Sequence, residues 1–368
     1  MNVIYVSTVC DKKTKMNFEK NNEPLSAAAF NFNKKVIDGL ELNGCDIDKV
    51  LSFPTSKDCD LEIFSTSSSK IKFIIDIFKK TIKEMKNTKK YDLVVVDVLS
   101  PLASFPVLLA SKLFSIKSVG IITDLPQYIG NGKKNINRLL FEVLVNAVIC
   151  MCSSYVLISK NMVPLFSKNK PAIVIEGLCE YRGKIDKIID KKYINIVYTG
   201  SIQKAYGIIT LIKAFKQISN DNIYLNIYSV DKGSEDYYKM LDKHVRDNGC
   251  LSYEEIVKVQ NEATILVNPR PTQAEYTKFS FPSKLLDYLN SGTITFTTHL
   301  PGIPKEYDDY FNYFESDDVQ GIKNGLLFAI NNIEELQNKA QRGKDFVSKN
   351  KNIVVQTKRI LDLNKRNI

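Results

Sequence analysis

Short apolar segments that alternate with amphipathic helical segments constrain the fold of this chain most strongly. The clearest apolar segment runs from Asp92 to Asp97, with Leu-Val-Val-Val between the two acids. A strand that is apolar on both faces is typical of a parallel sheet covered by helices on both sides. The same alternation fills the first half of the chain and restarts at Ile194. We therefore predict an α/β fold with two Rossmann-like domains.

Length agrees with two domains, because 368 residues exceed the size at which a single hydrophobic core usually stops growing. Residues 181–193 are charged and lack periodicity, so we place the domain linker between about Leu178 and Lys191. We place an N-terminal domain at residues 1–178 and a C-terminal domain at residues 192–345. The lysine-rich segment 346–368 is predicted to end the chain as a helix that packs back on the N-terminal domain.

Some segments carry more specific expectations. Residues 10–24 are polar and predict a long loop, which in a compact domain often binds a ligand. Residues 235–245 predict a single helix. Cys150, Cys152 and Cys179 lie in apolar runs, which is typical of buried, reduced thiols rather than of a disulfide framework. Because the chain has only two histidines and no CxxC pair, we expect no metal and no cofactor.

The charge balance bounds the partners. There are 51 Lys+Arg against 41 Asp+Glu, which gives a net charge of +10. This excess fits phosphorylated ligands, nucleic acid or an anionic membrane surface, and by itself selects none of them. The lysines of 70–90, or Lys133 and Lys134 beside Arg138, are candidates for contact with anionic headgroups. An ordinary solvated basic face is the alternative.

Two apolar segments bear on localisation. The N-terminus is a short strand without the basic region and long apolar core of a signal peptide. The longest apolar stretch, Leu139 to Ile158, contains Glu142 and two adjacent serines, so a buried helix followed by a strand fits it better than a membrane span. We expect a cytoplasmic protein, with contact at the inner face of the membrane left open.

The stretch from Glu275 to Gly292 is the strongest candidate site. Helical spacing begins at Pro282, Gly292 suits the C-terminal stop, and either Ser280 or Ser283 suits an N-cap. The free N–H groups and the dipole at a helix start favour an anion. Lysines in and next to the loop would add positive charge, and an acid one turn into the helix suits sugar hydroxyls. The alternative is a capped amphipathic helix with solvated lysines.

Two acids follow strands in the first half. Asp97 and Asp124 each stand at the carboxyl end of a predicted strand, where ligands gather in open α/β sheets. The alternative is that each caps a helix or a turn.

Three motifs in order resemble the donor domain of a GT-B glycosyltransferase, which implies two Rossmann-like domains facing a cleft. They are Val197–Gly207, Asn268–Gly292 with its Ser-Phe-Pro-Ser-Lys core, and Leu300–Pro304. The chain looks most like the large retaining family 4 group used in bacterial surface polysaccharide synthesis. The resemblance covers most of residues 195–310, whereas the first half matches only in outline, as expected of a domain that receives varied acceptors.

The resemblance implies roles for individual residues. Asp287 stands where the family has its second signature glutamate, which holds the nucleotide ribose. Asp124 stands where family members often have a histidine facing the donor, and it is implied to orient the acceptor or donor sugar. Lys204 is the second residue implied in catalysis, through the phosphates. The residues implied to bind the donor are Gly200, Ser201, Lys204, Arg270, Lys278, Ser280, Phe281, Pro282, Ser283, Lys284 and Asp287.

The sequence departs from the family in two places. The first signature glutamate falls on Phe279, which cannot bind sugar hydroxyls, and Glu275 is near but off register. The usual Arg…Lys-Gly pair after the first donor strand is reduced to Lys204. The missing positive charge is expected from basic residues near the second motif, namely Arg270, Lys278 or Lys284.

The implied activity is transfer of a hexose-type sugar from a nucleotide diphosphate donor, a UDP-sugar, with retention. The acceptor would be a saccharide or a lipid-linked saccharide of a surface polysaccharide such as capsule, with no nucleic acid partner.

Three alternatives remain. A nucleotide-sugar 2-epimerase shares the two-domain plan, but it would need a histidine and several acids that face the cleft, and His244 and His299 are the only histidines of the chain. A non-enzymatic sugar-binding protein of the periplasmic type is disfavoured by the missing export signal. A dinucleotide oxidoreductase is disfavoured because neither half opens with GxGxxG.

Overall fold

A computed structural model describes residues 1–20, 22, 25–56, 59, 61, 63–87, 90–128, 136–166, 170–180, 193–218 and 220–365. Within these ranges the chain forms two compact units, one of Met1–Leu178 with Ile353–Ile368 and the other of Cys179–Asn352. Most of the predicted linker, together with Lys133 and Lys134, lies outside the described residues.

The N-terminal unit is built on a six-stranded parallel sheet with the order β2-β1-β3-β4-β5-β6. Right-handed crossovers place α3, α4 and α5 on one face of this sheet and α2 on the other. Its elements are β1 (Asn2–Ser7), α1 (Lys12–Glu19), α2 (Ala27–Leu42), β2 (Asp46–Leu51), α3 (Lys70–Asn87), β3 (Leu93–Asp97), α4 (Pro101–Leu113), β4 (Ser118–Ile122), α5 (Ile136–Met151), β5 (Ser154–Leu157), α6 (Val163–Phe166) and β6 (Ala172–Val174).

The last helix, α13 (Ile353–Lys365), returns to the N-terminal unit and packs against α2. Gly39 allows the close approach, because an added Cβ would lie 2.6 Å from the carbonyl oxygen of Ile353. The side-chain amide of Asn43 donates to the carbonyl oxygen of Val354 and to Oγ1 of Thr357, both at 2.9 Å. The preceding helix continues to Asn350, and the returning helix begins at Ile353.

The C-terminal unit holds a second six-stranded parallel sheet with the order β12-β11-β10-β7-β8-β9. The strand order reverses between β7 and β10. Its elements are β7 (Ile194–Thr199), α7 (Ile208–Phe215), β8 (Ile223–Tyr228), α8 (Glu235–Tyr238), β9 (Val245–Asp247), α9 (Tyr253–Glu262), β10 (Ile265–Asn268), α10 (Lys284–Ser291), β11 (Ile294–Thr297), β12 (Asn312–Tyr313), α11 (Val319–Asn331) and α12 (Ile333–Asn350).

Two predicted elements are wrong. Residues 10–24 do not form one loop, because the carboxylate of Asp11 accepts from the N–H of Thr14 at 2.9 Å and starts α1. Residues 235–245 do not form one helix. After the short α8, the carboxylate of Asp242 accepts from the N–H groups of His244 and Val245, both at 2.9 Å, and the chain turns into the edge strand β9.

All seven cysteines are free, which agrees with the expected reduced thiols. Cys152 and Cys179 are buried, but Cys150 is exposed, because the last turn of α5 points it to solvent. In the described parts of the chain, no helix combines the length and apolar character that crossing a membrane requires.

Candidate functional site

The carboxyl ends of β7 and β10 lie side by side where the order of the C-terminal sheet reverses. Open parallel sheets bind ligands at such a switch point. The loop 200–207 follows β7 and the loop 269–283 follows β10, so the first two sequence motifs meet here.

Close packing fixes these two loops against each other. Gly207 has a φ of +81°, and an added Cβ would lie 2.0 Å from the carbonyl oxygen of Pro269. Only glycine fits both the left-handed backbone and the contact. The third motif closes the other side, since an added Cβ at Gly302 would lie 2.1 Å from the carbonyl oxygen of Ser280.

Lys284 begins α10 and turns its side chain toward the end of β7. Its ammonium lies 4.1 Å from the centroid of the Tyr198 ring and donates to the carbonyl oxygen of Thr199 at 3.2 Å. An added Cβ at Gly200 would lie 3.1 Å from the same nitrogen. Burial lowers the pKa of Lys284 well below its usual value, and Arg270 adds a smaller repulsion. Among the described residues, no carboxylate forms an ion pair with this ammonium.

Arg270 is the second cation of the site. Its guanidinium carbon lies 4.9 Å from the centroid of the Tyr206 ring and 5.7 Å from that of Tyr276. Its main chain is held by Thr298, whose Oγ1 donates to the carbonyl oxygen of Arg270 at 2.5 Å. Like Lys284, it makes no ion pair with a carboxylate in the part of the chain that the structure describes. The two cations are therefore placed together without a neutralising acid.

Polar atoms without a protein partner surround these cations. Nε of Arg270, Oγ of Ser280 and the hydroxyl of Tyr276 are buried and have no hydrogen-bond partner within the described protein. Buried polar groups in native proteins are normally hydrogen-bonded, so such a cluster calls for a polar partner. All three lie on the loop between β10 and α10, which makes this loop the candidate ligand surface of the C-terminal unit.

The start of α10 differs from the predicted cap. The helix begins at Lys284, so Pro282 precedes it, and Ser283 has a helical φ of −52° with no side-chain cap bond. Ser280 does not cap the helix either, since its hydroxyl has no partner. Gly292 ends the helix with a φ of +67°, as predicted. No side chain caps the helix, but the N–H groups of Leu285 and Leu286 already donate to the carbonyl oxygens of Pro282 and Ser283, at 2.9 Å and 3.2 Å. An anion at this helix start would therefore meet the N–H groups that precede Leu285.

The other residues that the resemblance named occupy varied positions. The hydroxyl of Ser201 is engaged, because it donates to the carboxylate of Asp231. Lys204 and Lys278 are exposed. Phe281 is buried, with its ring centroid 5.3 Å from that of Tyr307. Asp287 is half-buried in the first turn of α10.

The tyrosines of this site were missed by the sequence argument. Tyr288 joins α10 to the end of β7, with its hydroxyl 3.0 Å from the backbone nitrogen of Thr199. Tyr198 lies under Lys284, while Tyr206 and Tyr276 flank Arg270. Tyrosines at apolar positions of a strand or helix look like core residues in a sequence, and only the assembled loops show what they stack on.

The two acids of the first half have different environments. Asp97 is buried and accepts from the N–H of Leu99 at 3.0 Å and from Nδ2 of Asn33 at 3.3 Å. Burial raises its pKa to about 6, and the charge of Asp124 adds a smaller upward contribution. Asp124 is exposed at the end of β4. Asp97 thus forms buried hydrogen bonds at the end of its strand, whereas Asp124 is accessible to solvent.

Within the described ranges, no three or more His, Cys, Asp or Glu side chains are grouped so that they could hold a metal ion.

Comparison with known proteins gives one family match and many structural matches. The family model described as "Glycosyl transferases group 1" matches residues 193–342. No curated protein sequence matches the chain.

Several solved structures are similar to this chain over nearly its whole length. They include sucrose-phosphate synthase from Thermosynechococcus elongatus, with a TM-score of 0.70, 13% identity and 100% of both chains covered. A glycosyltransferase from Rickettsia africae has a TM-score of 0.69 at 13% identity, covering 99% of this chain and 98% of its own. Anabaena HepE in complex with UDP-glucose has a TM-score of 0.66 at 12% identity, covering 98% of each chain.

At these identities the structural matches show the fold, which is that of GT-B glycosyltransferases. The family match covers the unit that contains the Arg270–Lys284 site. The C-terminal unit is therefore a glycosyl transferases group 1 domain, and the chain as a whole has the GT-B fold.

Proposed function

We propose that this protein transfers a hexose-type sugar from a UDP-sugar, with retention, to a saccharide or lipid-linked saccharide of a surface polysaccharide. The observation that carries the proposal is the pair Arg270 and Lys284 at the switch point of the C-terminal sheet. Both are partly removed from water and neither forms an ion pair with a carboxylate among the described residues. A diphosphate supplies the missing negative charge.

The chemistry follows from where this charge develops. As the bond between the sugar and the β-phosphate breaks, negative charge grows on the leaving nucleoside diphosphate. Fixed cations and N–H groups that already point at this position stabilise it without further reorganisation. Arg270 can present two N–H groups to phosphate oxygens, and its flanking tyrosines hold the guanidinium plane in place. Lys284, the first residue of α10, faces the same anion.

The remaining donor contacts are assigned around this centre. Asp287, one turn into α10, accepts hydrogen bonds from the ribose hydroxyls. Gly200 lets the phosphates approach Lys284, since any side chain there would meet the ammonium. The exposed Lys204 and Lys278 add charge at the rim. UDP is the proposed nucleotide because Anabaena HepE, which has a similar fold, was solved with UDP-glucose.

Asp124 is the proposed residue of the N-terminal unit that orients the acceptor or the donor sugar. It is exposed at the carboxyl end of β4, whereas Asp97 nearby is buried. Retaining transfer of this type needs positioning more than it needs a strong base, and holding the two reactants in line is a large part of the rate enhancement. The proposal therefore gives Asp124 a hydrogen-bonding role.

Binding of UDP by the full chain, measured by isothermal titration calorimetry, tests the donor site. Arg270→Ala removes two phosphate contacts and should weaken UDP binding by about tenfold to a hundredfold. Arg246→Ala is the matched control, because Arg246 also stacks on a tyrosine, with its guanidinium carbon 4.4 Å from the Tyr224 ring centroid, but on the edge strand β9. Equal losses in the two variants, or no binding of UDP by the wild type, would refute the site.

Turnover with UDP-sugars tests the reaction itself. The expected product is a glycoside whose anomeric configuration, determined by NMR, equals that of the donor. An inverted product would refute retention alone, while a rearranged nucleotide sugar without a glycoside would refute transfer.

A further inference from the structure

The helical layer α3–α4–α5 of the N-terminal unit has an apolar outer surface. On α4, Leu109 and Leu113 are exposed, and Leu102 and Phe105 on the same stripe are half-buried. Residues at this spacing share one face of a helix. The opposite face of α4 already packs on the sheet and carries buried residues such as Val107 and Leu108. The apolar stripe on the outer face of α4 is therefore not part of the hydrophobic core.

The neighbouring helix α5 extends this surface. Its second half is anchored in the core by Val145, Val148 and Ile149, but its first half has no buried residue. The large apolar side chains exposed there are Ile136 at 77%, Leu139 at 62%, Leu140 at 56% and Val143 at 57% exposure. Because α4 and α5 pack side by side, these residues continue the stripe of α4. Monomeric soluble proteins rarely expose a contiguous apolar surface of this kind without a partner.

The helix on the other side of α4 supplies positive charge. Ile71 and Ile75 of α3 are exposed, and four exposed lysines lie on the same outer face of this helix. They are Lys72, Lys79, Lys83 and Lys86. None of these lysines forms an ion pair within the described part of the chain. The surface thus combines apolar side chains with a row of unneutralised cations.

This combination identifies the partner by its chemistry. A second copy docked through the same face would bring the same lysines together, because the interface of a symmetric dimer uses one surface twice. An anionic bilayer instead offers an apolar boundary and phosphate headgroups in one plane, and basic amphipathic surfaces bind it through both. We infer that the outer face of α3, α4 and α5 lies on an anionic lipid bilayer, with the leucines in the interface and the lysines at the headgroups.

This inference does not rest on the proposed transfer reaction. The surface belongs to the N-terminal unit and uses none of the residues assigned to the donor site. Loss of membrane binding therefore leaves UDP affinity intact, and failure of UDP binding says nothing about the membrane.

Flotation of the full chain with vesicles tests the inference. We expect the protein to float with phosphatidylcholine vesicles that contain phosphatidylglycerol, at low salt. Much less should float with phosphatidylcholine alone, or at high salt, because headgroup charge is screened. No flotation with the anionic vesicles at low salt would overturn the proposal.

Two matched pairs of variants locate the surface. Leu139→Ser with Leu140→Ser should reduce the bound fraction strongly, whereas Leu327→Ser with Phe328→Ser, exposed on α11 of the other unit, should not. The triple change of Lys72, Lys79 and Lys83 to Gln should weaken binding by roughly a hundredfold. The control is the triple change of Lys213, Lys305 and Lys349 to Gln, which removes the same charge from exposed positions of the C-terminal unit. This control should leave binding nearly unchanged.

The outcome is decisive in either direction. Equal loss in a variant and its control means that binding is nonspecific and overturns the assignment of this face. If sedimentation velocity shows a wild-type dimer that Leu139→Ser with Leu140→Ser converts to a monomer, the face is an interface between copies and the membrane proposal is wrong.

Discussion

The ammonium group of Lys284 lies 4.1 Å from the centroid of the Tyr198 ring, at the junction between the start of α10 and the end of β7. The lysine is held there by one neutral acceptor, the carbonyl oxygen of Thr199 at 3.2 Å. Burial lowers its pKa well below the usual value. A lysine in this setting lacks an anionic partner among the described residues, and the proposed donor site assigns a phosphate to it.

Replacing this lysine separates ligand binding from folding. Lys284→Met keeps the length of the side chain and removes its charge, so it should weaken UDP binding by about tenfold to a hundredfold. The free energy of unfolding should not fall by a comparable amount, because a buried ammonium is costly in the absence of an anion. Calorimetric titration and chemical denaturation measure the two effects, with Lys213→Met on the exposed face of α7 as control. A variant that unfolds readily but binds UDP normally would show that Lys284 is structural.

Proton uptake should accompany nucleotide binding. The diphosphate raises the pKa of Lys284 from its lowered value, so at a pH between the free and bound values the complex takes up a proton. UDP affinity should therefore fall as pH rises through that window. Titrations in two buffers with different ionisation enthalpies report the uptake. Lys284→Met provides the baseline for protons bound by the nucleotide itself, and wild-type uptake equal to this baseline would contradict the prediction.

The contact between Gly207 and Pro269 should be intolerant of any side chain. Gly207→Ala forces a Cβ into a left-handed backbone and against the Pro269 carbonyl oxygen at 2.0 Å, so we expect about 2–5 kcal/mol of destabilisation. Gly249→Ala is the control in the same unit, because Gly249 has a φ of +67° but nothing within 4 Å of the added Cβ. It should cost only about 1–2 kcal/mol. Thermal denaturation that gives equal losses would show that the loops are not packed as described.

Asp97 should make stability depend on pH in the acid range. Its pKa is raised to about 6 in the folded protein by burial, so the folded state holds a proton that the unfolded state releases. Stability from this group is present below about pH 4 and is lost as pH rises to about 6, by about 2–3 kcal/mol. Denaturation of Asp97→Asn and wild type across this range should give curves that diverge as pH rises. Parallel curves would mean that the carboxyl group titrates normally.

Asp124 should affect turnover and not donor binding. Asp124→Asn keeps the shape of the side chain but removes its charge, and misplacing a reactant costs on the order of a hundredfold in rate. UDP affinity should stay the same, because the residue belongs to the N-terminal unit. Asp38→Asn, on the outer face of α2 and paired with Lys34, is the matched control. Intact turnover in Asp124→Asn would remove Asp124 from the mechanism.

Local periodicity determined most of the elements. The apolar run that ends at Asp97 forms the fully buried strand β3, and the helix that the donor-site motif predicted ends at Gly292 as expected. These predictions succeed because burial on one or both faces leaves a local pattern in the sequence. Glycine and proline residues end these periodic segments, and they therefore also indicate where the loops of the proposed donor site lie in the sequence.

Predictions failed where the deciding contact was not periodic. The side-chain cap of Asp11 starts α1 within a polar segment, and pairing with β8 makes an edge strand of Val245–Asp247. The apolar run that begins at Leu139 predicts a buried helix, yet the first half of α5 faces outward. Periodicity shows that a side chain is apolar, but not which surface it meets.

The sequence by itself determined a doubled α/β plan, an uncharged strand core and a basic loop before α10, because each depends on neighbours along the chain. Only the tertiary structure brought Arg270 and Lys284 together, stacked them on tyrosines from separate segments, and returned α13 to α2. These contacts join residues far apart in the chain, and the order of the strands in each sheet decides which of them meet.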